Sequence, residues 1–302
     1  MERVLLLGAT GMLGAMVADV LARSERIALT LAARDTGREG IRGPAAALPC
    51  LPLDAEADPA AIEALAARGF DWIVNAIGVI KPHIHDGDPV QTERAVRVNA
   101  LFPHVLAAAA SRHGARVLQI ATDCVYSGRT GLYAEDAPQD ALDVYGKSKS
   151  LGEVPSPAMH HLRCSIIGPE LRGHVSLLDW FLGQPRGARL TGYANHRWNG
   201  VTTYHFGRLC RGIIESHLDL PPMQHVVPEG FVTKADMLSS FARAYGRDDL
   251  VIQRGEASVV IDRTLSTRQP GTNLALWQAA GYPAPPDFGT MLAELAHHPF
   301  NR

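Results

Sequence analysis

The sequence is poor in the features that mark unusual environments. Four cysteines, Cys50, Cys124, Cys164 and Cys210, are scattered over 302 residues. No two have metal-ligand or redox spacing, so no metal site and no disulfide framework is expected, and a reducing cytoplasm is the expected compartment. Neither sign of charge dominates, with 29 Lys plus Arg against 31 Asp plus Glu. That balance argues against non-specific binding to nucleic acid or to a membrane surface. The opening Met1-Glu2-Arg3 lacks a basic leader. The run Val4–Ala18 is interrupted by three glycines and closed by Asp19, so neither a signal peptide nor a membrane span is expected. There is no internal repeat and no low-complexity tract.

What is present is an ordinary globular balance, 46% hydrophobic and 20% charged, with 28 glycines. Such length suits one large domain or two coupled ones. Short apolar runs at Arg3–Leu7, Ile27–Ala33, Ala47–Leu53, Asp71–Ile77 and Ala115–Ala121 read as strands. Helical stretches lie between them, including Val90–Arg112, which Pro103 should kink. Alternation of this kind implies a parallel sheet covered on both faces, an α/β Rossmann-type doubly wound fold. A further strand is expected at His161–Ile167. Beyond it prolines become frequent and elements shorten. Helices are expected at Val175–Leu182, Tyr204–His217, Lys234–Tyr245 and Phe288–His297, with short strands at Val251–Arg254 and Ser258–Ile261. The expected division is residues 1–167 as the Rossmann-type domain and 168–302 as mainly a smaller α/β lobe, some of whose segments return to the first domain.

Gly8-Ala9-Thr10-Gly11-Met12-Leu13-Gly14 follows the first strand and opens the first helix. Glycines there permit a tight turn, close backbone approach to a pyrophosphate, and close helix–sheet packing, while the helix N-terminus favours negative charge. The spacing is GxxGxxG, not GxGxxG, and a glycine-rich turn without a ligand would read alike. Gly8, Thr10, Gly11, Met12 and Leu13 are the residues expected against a dinucleotide. Arg34, at the end of the second strand, tilts the expectation toward NADP, with NAD as the alternative, since a guanidinium matches a 2′-phosphate bidentately. Asp54 ends the third strand, and Asn75, Ala76 and Gly78 end the fourth, where carboxyl ends of parallel strands line the ligand crevice.

Two segments carry chemistry. Thr122 ends the fifth strand, and Tyr145-Gly146-Lys147-Ser148-Lys149 starts a helix. Tyr145 and Lys149, at i and i+4, share one helical face. An ammonium beside a phenol favours phenolate and lowers its pKa from about 10. Thr122 could bind the same carbonyl oxygen that Tyr145 protonates. Lys149 could also hold the cofactor ribose, so Tyr145 and Lys149 count among the cofactor contacts too. Alone, a Tyr–Lys pair of this spacing is more often an ordinary surface helix. Its weight comes from the glycine turn and Thr122.

Further segments extend the pattern: Val74-Asn75-Ala76, Val98-Asn99-Ala100, Thr122-Asp123-Cys124-Val125-Tyr126-Ser127-Gly128, Tyr133-Ala134-Glu135-Asp136 with Pro138, Gly152-Glu153, Arg163 ahead of Ser165-Ile166-Ile167-Gly168, and Gly200-Val201-Thr202-Thr203. With them the chain resembles the extended short-chain dehydrogenase/reductase superfamily, and within it the dTDP-4-dehydrorhamnose reductases and related nucleotide-sugar reductases. The resemblance implies Thr122, Tyr145 and Lys149 as the catalytic residues. It implies NAD(P)H-dependent reduction of a 4-keto nucleotide-diphosphate sugar, with a homodimer as a family-level expectation. Dehydratases of the superfamily carry an Asp-Glu pair after the threonine. Here Cys124 follows Asp123, which argues against dehydration. An NAD-dependent epimerase remains the enzyme alternative, and a dinucleotide-sensing protein the non-enzyme one.

Lys81 and Asp123 are expected to face the substrate, as are Arg197 and Asn199 ahead of Gly200. His83 and His85 read as a solvated loop rather than a metal site, because no third ligand is near. Trp180 is expected in the core, and His160, His161, His297 and His298 at the surface.

Overall fold

A computed structural model describes residues 1–36, 41–171 and 173–301. Its centre is a seven-stranded sheet in the order β11-β6-β5-β4-β1-β2-β3. The strands are β1 (Glu2–Leu7), β2 (Ile27–Ala33), β3 (Cys50–Pro52), β4 (Trp72–Asn75), β5 (Arg116–Thr122), β6 (Met159–Cys164) and β11 (Met223–His225). Every pairing in it is parallel. The order reverses between β1 and β4, the switch point where such sheets open a ligand crevice at their carboxyl ends.

Both faces of the sheet are covered, so its strands are continuously apolar. On one face α1 (Met12–Ala22), α7 (Thr203–Ser216) and α9 (Pro270–Ala279) bury Val17, Leu21, Phe206, Ile213 and Trp277 against Val4, Leu6 and Val74. On the other, α2 (Ile62–Ala66) and α4 (Phe102–His113) bury Ile62, Phe102 and Leu106 against Leu5, Leu7 and Ile73. Thus α7, β11 and α9, all from the second half of the chain, complete the first lobe's layers. Because β11 covers β6, His160 and His161 are 7% and 3% exposed, not surface residues. His298 is buried too, its ring against Tyr204 and 3.4 Å from Asp19. His297 is exposed.

Pro103 does not break its helix. α3 (Pro89–Ala95) runs through a π-turn, Val96–Leu101, straight into α4. A π-turn pairs each carbonyl five residues on, so the missing N–H of proline is passed without a gap. The second lobe packs α6 (Leu177–Leu182), α8 (Lys234–Tyr245) and α10 (Phe288–His297) around Phe181, Trp198, Phe241 and Phe288. Its strands are short: β8 (Arg189–Tyr193) pairs with β13 (Val251–Gly255), and β9 (His196–Trp198) lies between β12 (Val232–Thr233) and β14 (Ile261–Asp262). Trp180 is 43% exposed, against the expectation of a core residue. The short helix α6 turns Leu178 and Phe181 inward, and Trp180 falls on the opposite face.

Candidate active site

The glycine turn is built by steric necessity. Gly8 has φ +79°, and a Cβ on Gly14 would lie 2.0 Å from the Gly8 carbonyl oxygen. Only glycines let α1 start this close to the end of β1. Gly11 caps α1 without a side-chain acceptor, and no acidic residue occupies the first turn. Those N–H groups face the crevice with the positive end of the helix dipole, a cradle suited to a diphosphate. Gly8, Thr10, Gly11, Arg34, Asp54, Ala76 and Gly78 line one pocket. Met12 and Leu13 form the first turn behind it. Asn75 is buried and works on its own chain: its amide donates to Gln119 Oε1 at 2.7 Å and its carbonyl accepts from the Ile77 N–H. It fixes the turn that presents the backbone of Ala76 to Gly78.

The catalytic candidates adjoin that pocket through Lys149, which stands against Gly78. Thr122, the last residue of β5, accepts from the Cys124 N–H at 3.2 Å and caps a 3₁₀ turn over Asp123–Val125. α5 (Val144–Leu151) starts at Asp143, whose carboxylate accepts from the Gly146 N–H at 2.7 Å and binds Lys81 Nζ at 2.7 Å. A Cβ on Gly146 would stand 2.5 Å from the Cys124 carbonyl oxygen. That close approach brings Tyr145 beside Thr122, whose hydroxyl pulls the phenol pKa downward. One turn on, Lys149 reaches back so that a Cβ on Gly78 would be 3.0 Å from its Nζ. The lysine thus joins the phenol side of the site to the glycine-lined pocket.

Electrostatics set the resting protonation states. Burial, Cys124 and the Asp123 and Asp143 carboxylates push the Tyr145 phenol above its usual range, against the pull of Thr122. It is a neutral, proton-bearing phenol near pH 7. The lowering expected from an adjacent ammonium is not seen: the phenol is raised. Burial brings Lys149 down to about 8, opposed by Glu153. Glu153 itself is held 2.5 Å from the buried Arg163, which donates to Tyr126 Oη at 2.6 Å. Burial and Asp123 raise the Cys124 thiol to about 12. Burial also raises the Asp123 carboxyl, with Arg263 and Lys234 pulling the other way.

Asp123 therefore lies near Tyr145 and Lys81 is tied to Asp143 at the start of the same helix, while Arg197 and Asn199 have partners in the second lobe. Arg197 lies 3.5 Å from Asp262 and over the Phe231 ring at 4.8 Å. The Asn199 amide donates to the Leu265 carbonyl and accepts its N–H, both within 2.8 Å. This clamp holds the loop that delivers Arg263, whose Nε donates to the Tyr126 carbonyl at 2.8 Å. Arg263 and Lys234, the first residue of α8, are the second-lobe cations that act on Asp123. Sequence reading missed both, because no spacing ties them to Thr122. Among the described residues no group of three His, Cys, Asp or Glu side chains is arranged for a metal. No helix among them is long and apolar enough to cross a membrane.

A switch-point crevice with a glycine cradle and a Thr–Tyr–Lys cluster defines a dinucleotide-type α/β fold of the extended short-chain dehydrogenase/reductase kind. The chain belongs to the RmlD substrate binding domain family, whose model matches residues 1–165. A dTDP-4-dehydrorhamnose reductase of Mycobacterium tuberculosis (strain ATCC 25618 / H37Rv) is 32% identical over 162 residues, covering 50% of this chain and 44% of that protein. The spore coat polysaccharide biosynthesis protein SpsK of Bacillus subtilis (strain 168) is 39% identical over 64 residues, 21% of this chain and 23% of that protein. Both alignments span less than half of the relative's length. The fold extends further. A dTDP-4-dehydrorhamnose reductase structure from Bacillus anthracis str. Ames, in complex with NADP, superposes with TM-score 0.74 at 17% identity, covering 98% of each chain.

Proposed function

We propose that the protein is an NAD(P)H-dependent reductase of a 4-keto nucleotide-diphosphate sugar, similar to dTDP-4-dehydrorhamnose reductase. The observation that carries this reading is the placing of Thr122 beside Tyr145, with Lys149 one turn on against Gly78 of the glycine-lined pocket. When bound there, the reduced dinucleotide supplies hydride to a carbonyl carbon. The Gly8–Leu13 turn suits its diphosphate, and Arg34 and Asp54 line the end that suits its adenosine. Lys149 is placed for its nicotinamide ribose.

The chain's own groups handle the oxygen and the proton. Tyr145 holds the proton at its phenolic oxygen and donates it to the oxygen of the former carbonyl. The Thr122 hydroxyl, which rests on Asp123 Oδ1 at 3.3 Å, turns to donate to the same oxygen. Positioned proton donation of this kind is worth about 10²–10⁴ in rate. The Lys149 ammonium stabilises the phenolate that donation leaves. Lys81, Lys234 and Arg263 supply positive charge on the substrate side, which suits a nucleotide-diphosphate ligand. The reading includes a cytoplasmic enzyme and a homodimer, the latter open to analytical ultracentrifugation.

The test is incubation of purified protein with NADPH and a dTDP-4-keto-6-deoxy sugar. Absorbance follows NADPH loss and NMR follows the product. Stoichiometric oxidation with formation of the 4-hydroxy sugar is expected. No NADPH oxidation across several 4-keto sugars would refute the reductase. Conversion of dTDP-glucose to a 4-keto-6-deoxy sugar without added reductant would show a dehydratase instead.

A further inference from the structure

Glu56 lies on the rim of the glycine-lined pocket together with Arg34 and Arg94. Its Oε2 is 2.9 Å from Arg94 Nε and 3.7 Å from Arg34 Nη1. One carboxylate oxygen thus stands between two guanidinium groups from separate elements, one just past β2 and one on α3. Nearby, Asp54 accepts from the Glu56 and Ala57 N–H groups and fixes the turn that carries Glu56. All three charged side chains are more than a third exposed, within reach of a ligand and able to rearrange. Two guanidinium groups converging on one anionic oxygen is an arrangement suited to phosphate. Here the anion is the protein's own.

We infer that Glu56 sets the choice between NADPH and NADH by occupying the anion position between Arg34 and Arg94. The inference rests on the functional reading above. The two dinucleotides differ only at the adenosine ribose 2′ position, a phosphate in one and a hydroxyl in the other. A 2′-phosphate arriving at the arginines must displace Glu56 or share the position with it against like-charge repulsion. A 2′-hydroxyl instead donates to the carboxylate and leaves the Arg–Glu–Arg arrangement intact. Arg34 alone reads as a mark of NADPH. With Glu56 in place, its charge is already answered from within the chain.

Isothermal titration calorimetry tests this at fixed ionic strength, with NADPH against NADH and with 2′,5′-ADP against ADP. The proteins are the wild type, Glu56→Gln and Arg94→Ala. Glu56→Gln keeps the side chain's size and frees both guanidinium groups, so the NADPH-to-NADH affinity ratio should rise about fivefold or more. The 2′,5′-ADP-to-ADP ratio should rise with it. Arg94→Ala should lower both ratios by about fivefold or more. Both shifts are required, and the absence of either, with both dinucleotides still bound, overturns the inference alone. Binding of neither dinucleotide by the wild type overturns the functional reading and carries this inference with it.

Discussion

Lys149 should impose an alkaline limit on turnover. A lysine ordinarily loses its proton near pH 10.4. Here burial brings that down to about 8, with Glu153 working in the opposite direction. The charged form is the working form, since only an ammonium stabilises phenolate at Tyr145. A lowered lysine pKa means charge that is present below about pH 8 and lost above it. At pH 7 about ten lysines are charged for each neutral one, and at pH 9 the ratio inverts. The value of kcat/KM with cofactor as the varied reactant reports groups in the free enzyme. It should be level near pH 7 and fall about tenfold per unit beyond pH 8. Tyr145 does not set this limb, because its phenol is pushed above its ordinary range. Lys149→Arg separates the two groups: a guanidinium stays charged across the range, so activity drops from altered geometry but the alkaline limb disappears. A level profile to pH 9.5, or the same limb in Lys149→Arg, would refute the reasoning.

Three further outcomes follow from the geometry. Tyr145→Phe removes the phenolic proton and keeps the ring, so kcat should fall about 10²–10⁴-fold while calorimetry shows that cofactor still binds; more than a tenth of wild-type activity would remove Tyr145 as the acid. Arg34→Ala should weaken NADPH binding more than NADH binding, modestly in the wild type, where Glu56 stands against the guanidinium, and by more in a Glu56→Gln background, and equal small losses in both would place Arg34 outside the site. Gly14→Ala sets a Cβ 2.0 Å from the Gly8 carbonyl, an overpacking that should cost about 1–3 kcal/mol in chemical denaturation and weaken dinucleotide binding; unchanged stability would mean that α1 can withdraw from β1 freely.

The first lobe was legible because its signals are local. Apolar runs bounded by glycine and charge gave β1, β2 and β5 to within a residue, and α8 and α10 were read with their observed limits. The glycine turn carried its own stereochemistry, so its place at the crevice could be argued from spacing alone. What escaped depended on distant partners. His160 and His161 are buried because β11, some sixty residues later, pairs with β6. Asn199 and Arg197 sit where a substrate contact was expected, yet their polar groups hold Leu265 and Asp262. Arg263 and Lys234 reach the Asp123 side of the site through second-lobe folding that no periodicity encodes. Arg94 belongs to no motif, and only the fold brings Glu56, 38 residues earlier, beside it.

The residues after Thr122 bear on which chemistry the Thr–Tyr–Lys cluster can serve. Eliminating water from a 4-keto sugar requires a base at C5 and an acid for the departing hydroxyl. Cys124 occupies the position where the resemblance puts a glutamate in dehydratases. Its thiol, raised to about 12 by burial and by Asp123, is protonated at pH 7 by about five orders of magnitude. As a base it is absent, whatever its intrinsic nucleophilicity. Asp123 is the remaining candidate, but it is 6% exposed, its carboxyl is raised by burial, and its Oδ1 accepts from the Thr122 hydroxyl at 3.3 Å. A single carboxyl cannot remove the C5 proton and protonate the C6 leaving group at the same time. Reduction needs neither role. In the proposed reductase it asks for one proton, which Tyr145 would hold, and for one neighbouring cation, for which Lys149 is placed. Asp123 is then left to position Thr122 and to meet the charge of Lys234 and Arg263.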